Sequence, residues 1–298
     1  MKKVILFLKK IFLSLMEEKW ELGITSLSKF DFGLKSIIWI ENPFKDRWFA
    51  DPFILSDSEL TMEVLVEEWK YAEKRGCISK VTIDKASKKI VKATQVLVLD
   101  THLSFPNIFR EGGRIFFCPE NTEAGELAIY EYSPQTNTTK KRKTLLSEPL
   151  ADAVFFEAEG KWFMTGTRPP NDNGRTLSVF VADNWSGPYK HDSDIRFGDC
   201  SARGAGGILK CDKKLIRVSQ DCTGGYGRGL VFSEIDFESK KLKFKELCRF
   251  YPDRKQARGV HTYNTYAGKV IVDCKKYRYP LIAGLVAPLF RGMLFLTR

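Results

Sequence analysis

The chain repeats itself, and the repeat constrains the fold more than any other feature. Five segments share one order: a short apolar stretch, a small turn, a strongly β-prone stretch, then a variable loop and a third, alternating stretch. They open at "DPFILSDSELTMEVLVEEW", "FPNIFREGGRIFFCPEN", "ADAVFFEAEGKWFMTGTR", "GAGGILKCDKKLIRVSQD" and "VHTYNTYAGKVIVDCKKY". Equivalent starts fall at Asp51, Pro106, Asp152, Gly206 and His261, 46 to 55 residues apart. Turn signals at "EGG", "AEGK", "CDKK" and "YAGK" divide the first two stretches of the later units. Helical periodicity is nearly absent between residues 35 and 275. Units of this length with about four strands each are propeller blades. The expected fold is all-β: a five-bladed β-propeller over residues 35–279.

A propeller makes a prediction about function. The innermost strand of each blade lines the central channel, so polar residues at matching places converge there. The inner-strand starts supply Asp51, Ser104, Asn107, Asp152, Arg203, His261 and Asn264. The ends of the second strands add Glu67, Glu68, Glu120, Arg168, Gln220 and Asp221. Such a lining predicts a site for a polar ligand.

The two ends differ from the middle. Residues 1–34 begin "MKKVILFLKKIFLSLMEE", with Lys2, Lys3, Lys9 and Lys10 on one side of an apolar helix. Residues 280–298, apolar and interrupted by Pro288 and Arg291, follow the basic Lys275, Lys276 and Arg278. Both are expected to be short amphipathic helical segments. Their pattern suits an anionic membrane interface, or packing on the protein's own body. The N-terminal run is too charged for a spanning helix and lacks a cleavage site. The formal net charge of +11 points to an acidic partner. No nucleic-acid motif accompanies it, and the basic run "TKKRKT" at 139–144 reads as a solvated loop. The seven Cys are scattered without a C-x-x-C pair, which fits a reducing cytoplasm and thiols used as small core residues. No metal-ligand spacing occurs and no cofactor is called for.

"FADPFIL", "HLSFPNIFREGGRIFFCPEN", "ADAVFFEAEGKWFMTGT", "RGAGG…VSQDCTGGYGRGL" and "RGVHTYN" together resemble a known family. It is the five-bladed propeller of the arabinanase, levansucrase and invertase superfamily. More narrowly, it is the N-terminal domain of plant glucosamine inositolphosphorylceramide transferase and its bacterial relatives, over residues 40 to 275. In the hydrolases of that superfamily a first-blade aspartate is base or nucleophile, a third-blade aspartate tunes and positions, and a fourth-blade glutamate is the acid. The resemblance assigns the first two roles to Asp51 and Asp152. The fourth blade opens "SARGAGG", so Arg203 stands where the acid is expected.

That departure orders the readings. The first is a membrane-associated glycosyltransferase of cell-surface polysaccharide or glycolipid assembly, peripheral to the inner face of the membrane. Asp51 would activate the acceptor glycan, and Arg203 would stabilise the phosphate of a nucleotide- or lipid-linked sugar donor. The catalytic set is Asp51, Asp152 and Glu120; the substrate-binding set is Arg203, His261, Asn264, Gln220, Asn107, Arg168 and Glu68. The second is a furanosidase-type hydrolase with Asp51, Asp152 and Glu120 as carboxylates. The third is a non-catalytic sugar-binding propeller, since the plant relatives carry their transferase in a separate domain. "CTGGYGRG" lacks the end of a phosphate loop and reads as a hairpin. Trp48 and Trp69 read as core. Of the other histidines, His102 pins a loop and His191 lies outside the channel.

Overall fold

The computed structural model describes residues 17–28, 32, 34–169, 174–211, 214–239, 241–253, 257–280 and 282. Runs of β-branched and aromatic residues such as "EVLVEEW" form strands here, and the glycine turns between them form hairpins. The strands make five four-stranded antiparallel sheets. The chain enters through β1 (Glu18–Ser26) and β2 (Ile38–Trp39). Blade 1 is β3 (Arg47–Asp57), β4 (Thr61–Lys70), β5 (Gly76–Asp84) and β6 (Lys89–Leu97). Blade 2 is β7 (Ser104–Glu111), β8 (Arg114–Glu120), β9 (Leu127–Ser133) and β10 (Thr138–Leu146). Blade 3 is β11 (Ala151–Ala158), β12 (Lys161–Thr167), β13 (Thr176–Ala182) and β14 (Lys190–Arg196). Blade 4 is β15 (Leu209–Cys211), β16 (Lys214–Asp221), β17 (Gly229–Glu238) and β18 (Lys241–Phe250). Blade 5 begins with β19 (Tyr263–Tyr266) and β20 (Lys269–Tyr277).

The fifth sequence unit holds only two strands, and the N-terminal strands complete it. The sheet order is β19-β20-β1-β2, with β1 paired to β20 from Glu18 opposite Tyr277 to Ser26 opposite Lys269. The propeller therefore begins at residue 18, not at 35 as the repeats suggested. Joining the two ends of the chain in one sheet closes the ring. The expected terminal helices at 1–16 and 283–298 lie outside the described residues. Among the described residues, no helix is long and apolar enough to cross a membrane.

Apolar side chains pack between neighbouring blades. Leu65 and Ile78 of blade 1 meet Phe117 and Tyr130 of blade 2. Phe116 and Ile129 of blade 2 meet Phe155 and Met164 of blade 3. Matching clusters join blades 3 to 4, 4 to 5 and 5 to 1. A smaller cluster of Phe53, Phe105 and Val154, with Ile108 and Ile208 against it, plugs the channel itself. The inner strands thus run from a polar mouth, across an apolar plug, to a far end.

Three sequence readings change. "TKKRKT" is the exposed edge strand β10, not a loop; Lys141 pairs with Glu126 and Arg142 with Glu131. Charge on an outermost strand protects it from pairing with other chains. Trp48 and Trp69 are half-exposed rather than core, a cross-strand stacked pair with centroids 5.5 Å apart. The thiols are all free, but only Cys77, Cys118 and Cys274 are buried, and Cys248 is exposed.

Candidate active site at the mouth of the channel

One backbone device is used in three blades. Asp51, Phe105 and Asp152 have φ of 48°, 46° and 50°. At each, the pairing with the second strand skips: between Ala50 and Phe53, Ser104 and Asn107, Ala151 and Val154. A left-handed residue in a bulge breaks the alternation of faces and re-aims one side chain, here into the channel. Aspartate tolerates this conformation; phenylalanine is strained in it. The blade 2 equivalent of Asp51 is therefore Phe105, one residue before the start read from the sequence, and it contributes to the plug rather than to the polar lining. Ser104 and Asn107 flank it.

Asp51 is held by hydrogen bonds from uncharged donors. Its Oδ1 accepts from Thr262 Oγ1 at 2.7 Å, and its Oδ2 from the Phe105 N–H at 3.1 Å. His261 Nε2 lies 3.5 Å from Oδ1. On the other side of the imidazole, Nδ1–H donates to Asp273 Oδ2 at 2.7 Å. Asp273, fully buried on β20, also accepts from the backbone N–H groups of Asp51, His261 and Thr262. The indole of Trp20 stacks on His261 at 3.7 Å. Burial pushes the Asp51 carboxyl pKa up, against the charge of His261. The His261 pKa is raised too: burial opposes the charge, but Asp273 and Asp51 outweigh it.

Asp152 is held by charge. Arg203 Nε donates to its Oδ2 at 2.6 Å, and Gln220 Nε2 donates to the same oxygen at 3.2 Å and to the Gly204 carbonyl at 2.9 Å. Glu120 reaches across from blade 2: Oε2 accepts the Asp152 N–H at 3.1 Å, and Oε1 accepts Thr122 Oγ1 at 3.0 Å. Arg203 Nη2 stands 3.8 Å from Glu120 Oε2. Burial, then the charge of Asp152, push the Glu120 carboxyl up to about 8 against the pull of Arg203, which favours its protonated form. Arg217, fully buried on β16, donates to the carbonyls of Ser201 and Ala202 and so fixes the turn that presents Arg203.

Two further groups complete the mouth. Glu67 is buried, and its pKa is raised well above the usual range by burial and by Asp51, Glu120, Asp273 and Asp152. His102 Nε2 lies 3.7 Å from it. The "CTGGYGRG" segment is the β16–β17 hairpin, and it folds over the site. At Gly227 (φ 61°) a Cβ would meet Trp20 at 2.9 Å and His261 at 3.0 Å. The hairpin carries Tyr226, 47% exposed as a residue, with Arg203 5.3 Å from its ring. Burial raises the pKa of its hydroxyl, and the charge of Arg203 opposes.

The sequence-derived candidates divide. Asp51, Asp152, Glu120, Arg203, His261 and Gln220 come together at the mouth. Asn107 and Asn264 do not: Nδ2 of each donates to the first backbone carbonyl after the next blade's aspartate, Ala153 at 2.9 Å and Pro52 at 2.8 Å. They are blade-to-blade clasps. Arg168 turns to the outer strands, pairing with Glu148 at 3.1 Å and Asp194 at 3.5 Å. Glu68 points away from the mouth and is bound by Arg47 and Ser79. Strand alternation puts Glu67 inside and Glu68 outside, and one residue of register decided it.

Thr262, Asp273, Trp20 and Tyr226 were outside the predicted set, and Glu67 was read as channel lining without a role. Asp273 had a signal: an acid inside "KVIVDC", an otherwise apolar strand, must be satisfied by something. Trp20 had none, because it precedes the repeats. Asp51, His261 and Asp273 could present one ligand atom each to a cation, the three atoms lying within 4.8 Å of one another. However, Asp273 already accepts four hydrogen bonds, so the trio fits a relay of hydrogen bonds better than a metal centre.

A family profile described as glucosamine inositolphosphorylceramide transferase 1, N-terminal, matches residues 37–277. Glucosamine inositolphosphorylceramide transferase 1 of Arabidopsis thaliana is 28% identical over 209 residues, 65% of this chain and 26% of that protein. Its namesake in Oryza sativa subsp. japonica is 27% identical over 156 residues, 49% of this chain and 20% of that protein. The chain thus spans about a quarter, or less, of these relatives. Among solved structures, an exo-β-1,3-galactanase from Phanerochaete chrysosporium superposes with TM-score 0.51 at 8% identity, covering 70% of this chain and 51% of the other. A putative exo-β-1,3-galactanase from Bifidobacterium bifidum does so with TM-score 0.50 at 12% identity, covering 68% and 72%. At such identities the likeness concerns the fold.

Proposed function

The chain belongs to the family described as glucosamine inositolphosphorylceramide transferase 1, N-terminal, and from that premise we propose a carbohydrate-active enzyme that moves a glycosyl unit by carboxylate acid–base chemistry. The observation that carries this is the pairing of unlike carboxyls. Glu120 is kept protonated, up at about 8, while Asp51 faces the His261–Asp273 pair from another blade. Perturbed acids of this kind gather where proton transfer is needed. In the reaction Asp51 takes the proton of the incoming hydroxyl as its oxygen bonds to the anomeric carbon. Glu120 gives its proton to the departing oxygen as the old bond breaks. Asp152, fixed by Arg203 and Gln220, keeps Glu120 protonated and binds sugar hydroxyls. The acceptor is a glycan hydroxyl in assembly, or water in hydrolysis.

Arg203 acquires a different role from the one its sequence position suggested. Its guanidinium is bound to Asp152 and faces Glu120, inside a ring of carboxylates. A phosphate brought there would find that cation already engaged by Asp152. At about 5 Å and an effective dielectric near 20, each uncompensated carboxylate repels a unit charge by about 3 kcal/mol. An oxygen that leaves with a proton suits this mouth better. The phosphate-linked donor remains a second reading because Arg203 occupies the fourth-blade position. Calorimetry with a nucleotide sugar tests it, and tight binding lost in Arg203→Ala would restore it.

The placement of the chain ends supports a membrane setting. Arg278 N–H donates to the Glu17 carbonyl at 2.8 Å, so both ends leave the propeller together, on the mouth side where Trp20 covers His261. The apolar, basic sequences beyond them would hold the mouth against an anionic inner leaflet, presenting it to a lipid-linked or surface glycan. The chemistry is tested by turnover of aryl and natural glycosides. Asp51→Asn is expected to abolish it, and retained turnover would sink the assignment. Sedimentation with phosphatidylserine vesicles tests the membrane setting separately.

A further inference from the structure

The far end of the channel holds a second cavity, of about 360 Å³. Its residues lie further along the same inner strands: Ile54 beyond Asp51, Phe155 to Glu157 beyond Asp152, Thr265 beyond Thr262. Phe53, Ile108 and Ile208 line it, and they pack against Phe105 and Val154, so the apolar plug stands between it and the carboxylates. Cavities of this size fall within the range that takes small organic ligands.

Its walls combine flat apolar faces with balanced charge. Trp162 and Trp185 line it and are half-buried. Trp185 is held in place before any ligand arrives: its indole N–H donates to Glu111 Oε1 at 2.6 Å, and its ring stacks on Phe109 at 5.5 Å. Arg110 is used internally, donating to the Ile54 and Leu55 carbonyls at 2.7 Å and 2.9 Å and lying over Tyr266. Two lining side chains remain, Glu157 and Lys210. Both are exposed, and neither has a hydrogen bond or ion pair among the described residues. One offers acceptors and the other donors, with no net charge between them.

From this juxtaposition we propose that the far cavity is a second, non-catalytic binding site for a stretch of neutral glycan. Sugar rings would rest on the Trp162 and Trp185 faces, with hydroxyls bonded to Glu157 and Lys210. An indole offers a rigid apolar face at little entropic cost, and the free carboxylate and ammonium supply acceptor and donor for hydroxyls. Arg110 and Lys210 balance Glu111 and Glu157, so the lining as a whole favours neither sign of ligand. That the ligand is a carbohydrate rests on the function proposed above; that it binds here rests on the cavity.

The test uses the full chain carrying Asp51→Asn, so that nothing is turned over, screened on an array of neutral di- to tetrasaccharides. The best binder is then measured by calorimetry. Glu157→Ala and Lys210→Ala, both exposed and harmless to packing, are each expected to weaken binding about tenfold. Glu120→Gln at the mouth is expected to leave it within about twofold. The proposal is overturned if Glu120→Gln weakens binding while the two distal variants do not. Equal losses at both ends overturn it too, since the plug separates them, and so does an array in which nothing binds at roughly millimolar concentration. Turnover by the unsubstituted enzyme is scored independently, so a failed reaction assignment and a failed second site give different results.

Discussion

Asp51 and Asp152 occupy the same bulge two blades apart, with the same left-handed backbone, yet they are held in opposite ways. Asp51 accepts from a hydroxyl and a backbone N–H and faces a histidine. Asp152 is locked to a guanidinium at 2.6 Å and to an amide. The repeat therefore decides where a carboxylate points, and the neighbours decide what it can do there. A carboxylate with neutral donors and a raised pKa stays available as a base. One bound to arginine is spent as an anchor and a local field, and that field acts on Glu120.

Four experiments break or sharpen this contrast. The largest effect is expected from Asp51→Asn, which keeps the shape and removes the proposed base: kcat should fall about 10³- to 10⁴-fold with little change in Tm. The same change at Asp152 should lower kcat less and stability more, and equal kinetic losses would erase the distinction. Next comes Arg203→Ala. It leaves Asp152 buried without its cation and should cost about 3–5 kcal/mol in urea unfolding. Adding Asp152→Asn should recover part of that loss, and strict additivity would show that the pair is not coupled.

Glu120→Gln ranks third. Turnover should fall about 100-fold, more for poor leaving groups than for good ones, and the alkaline limb near pH 8 should disappear. Linkage gives a second readout. The folded-state pKa lies above the ordinary glutamate value of 4.5, so the folded state binds the proton more tightly, and stability falls as pH rises from about 4.5 to about 8. His261, also raised, contributes stability that is full below its unfolded value and lost as pH rises through its folded one. Wild-type stability should therefore decline on the alkaline side, and Glu120→Gln should decline less. Parallel curves would remove Glu120 from the account. The smallest effect belongs to the clasps: Asn264→Ala should cost about 1–3 kcal/mol of stability without altering kcat beyond about twofold.

Much of this was legible in the chain. Period, turn residues and β-prone runs are local, and they specified five blades and the points where inner strands begin. Asp51, Asp152, Glu120, Arg203, His261 and Gln220 followed because a propeller places equivalent positions at one mouth. Misreadings arose where one residue of register or one bulge matters. Glu67 and Glu68 were both read into the channel with Glu68 chosen to bind substrate, and the blade 2 position was read as polar although the bulge there turns Phe105 inward. Asn107 and Asn264 were correctly placed on inner strands, but which way they reach depends on the next blade's carbonyls.

The remainder only the closed ring could decide. Asp51 N–H meets Asp273 across 222 residues of sequence, and Thr262 meets Asp51 across 211. Trp20 covers His261 because β1 is recruited as the third strand of the last blade. No local pattern encodes such meetings. They exist because closing a five-fold ring brings first and last blades into contact, and that closure buries His261 and Asp273 beside Asp51. The sequence by itself determined the blades and aimed the aspartates; the tertiary structure decided which neighbours hold each of them.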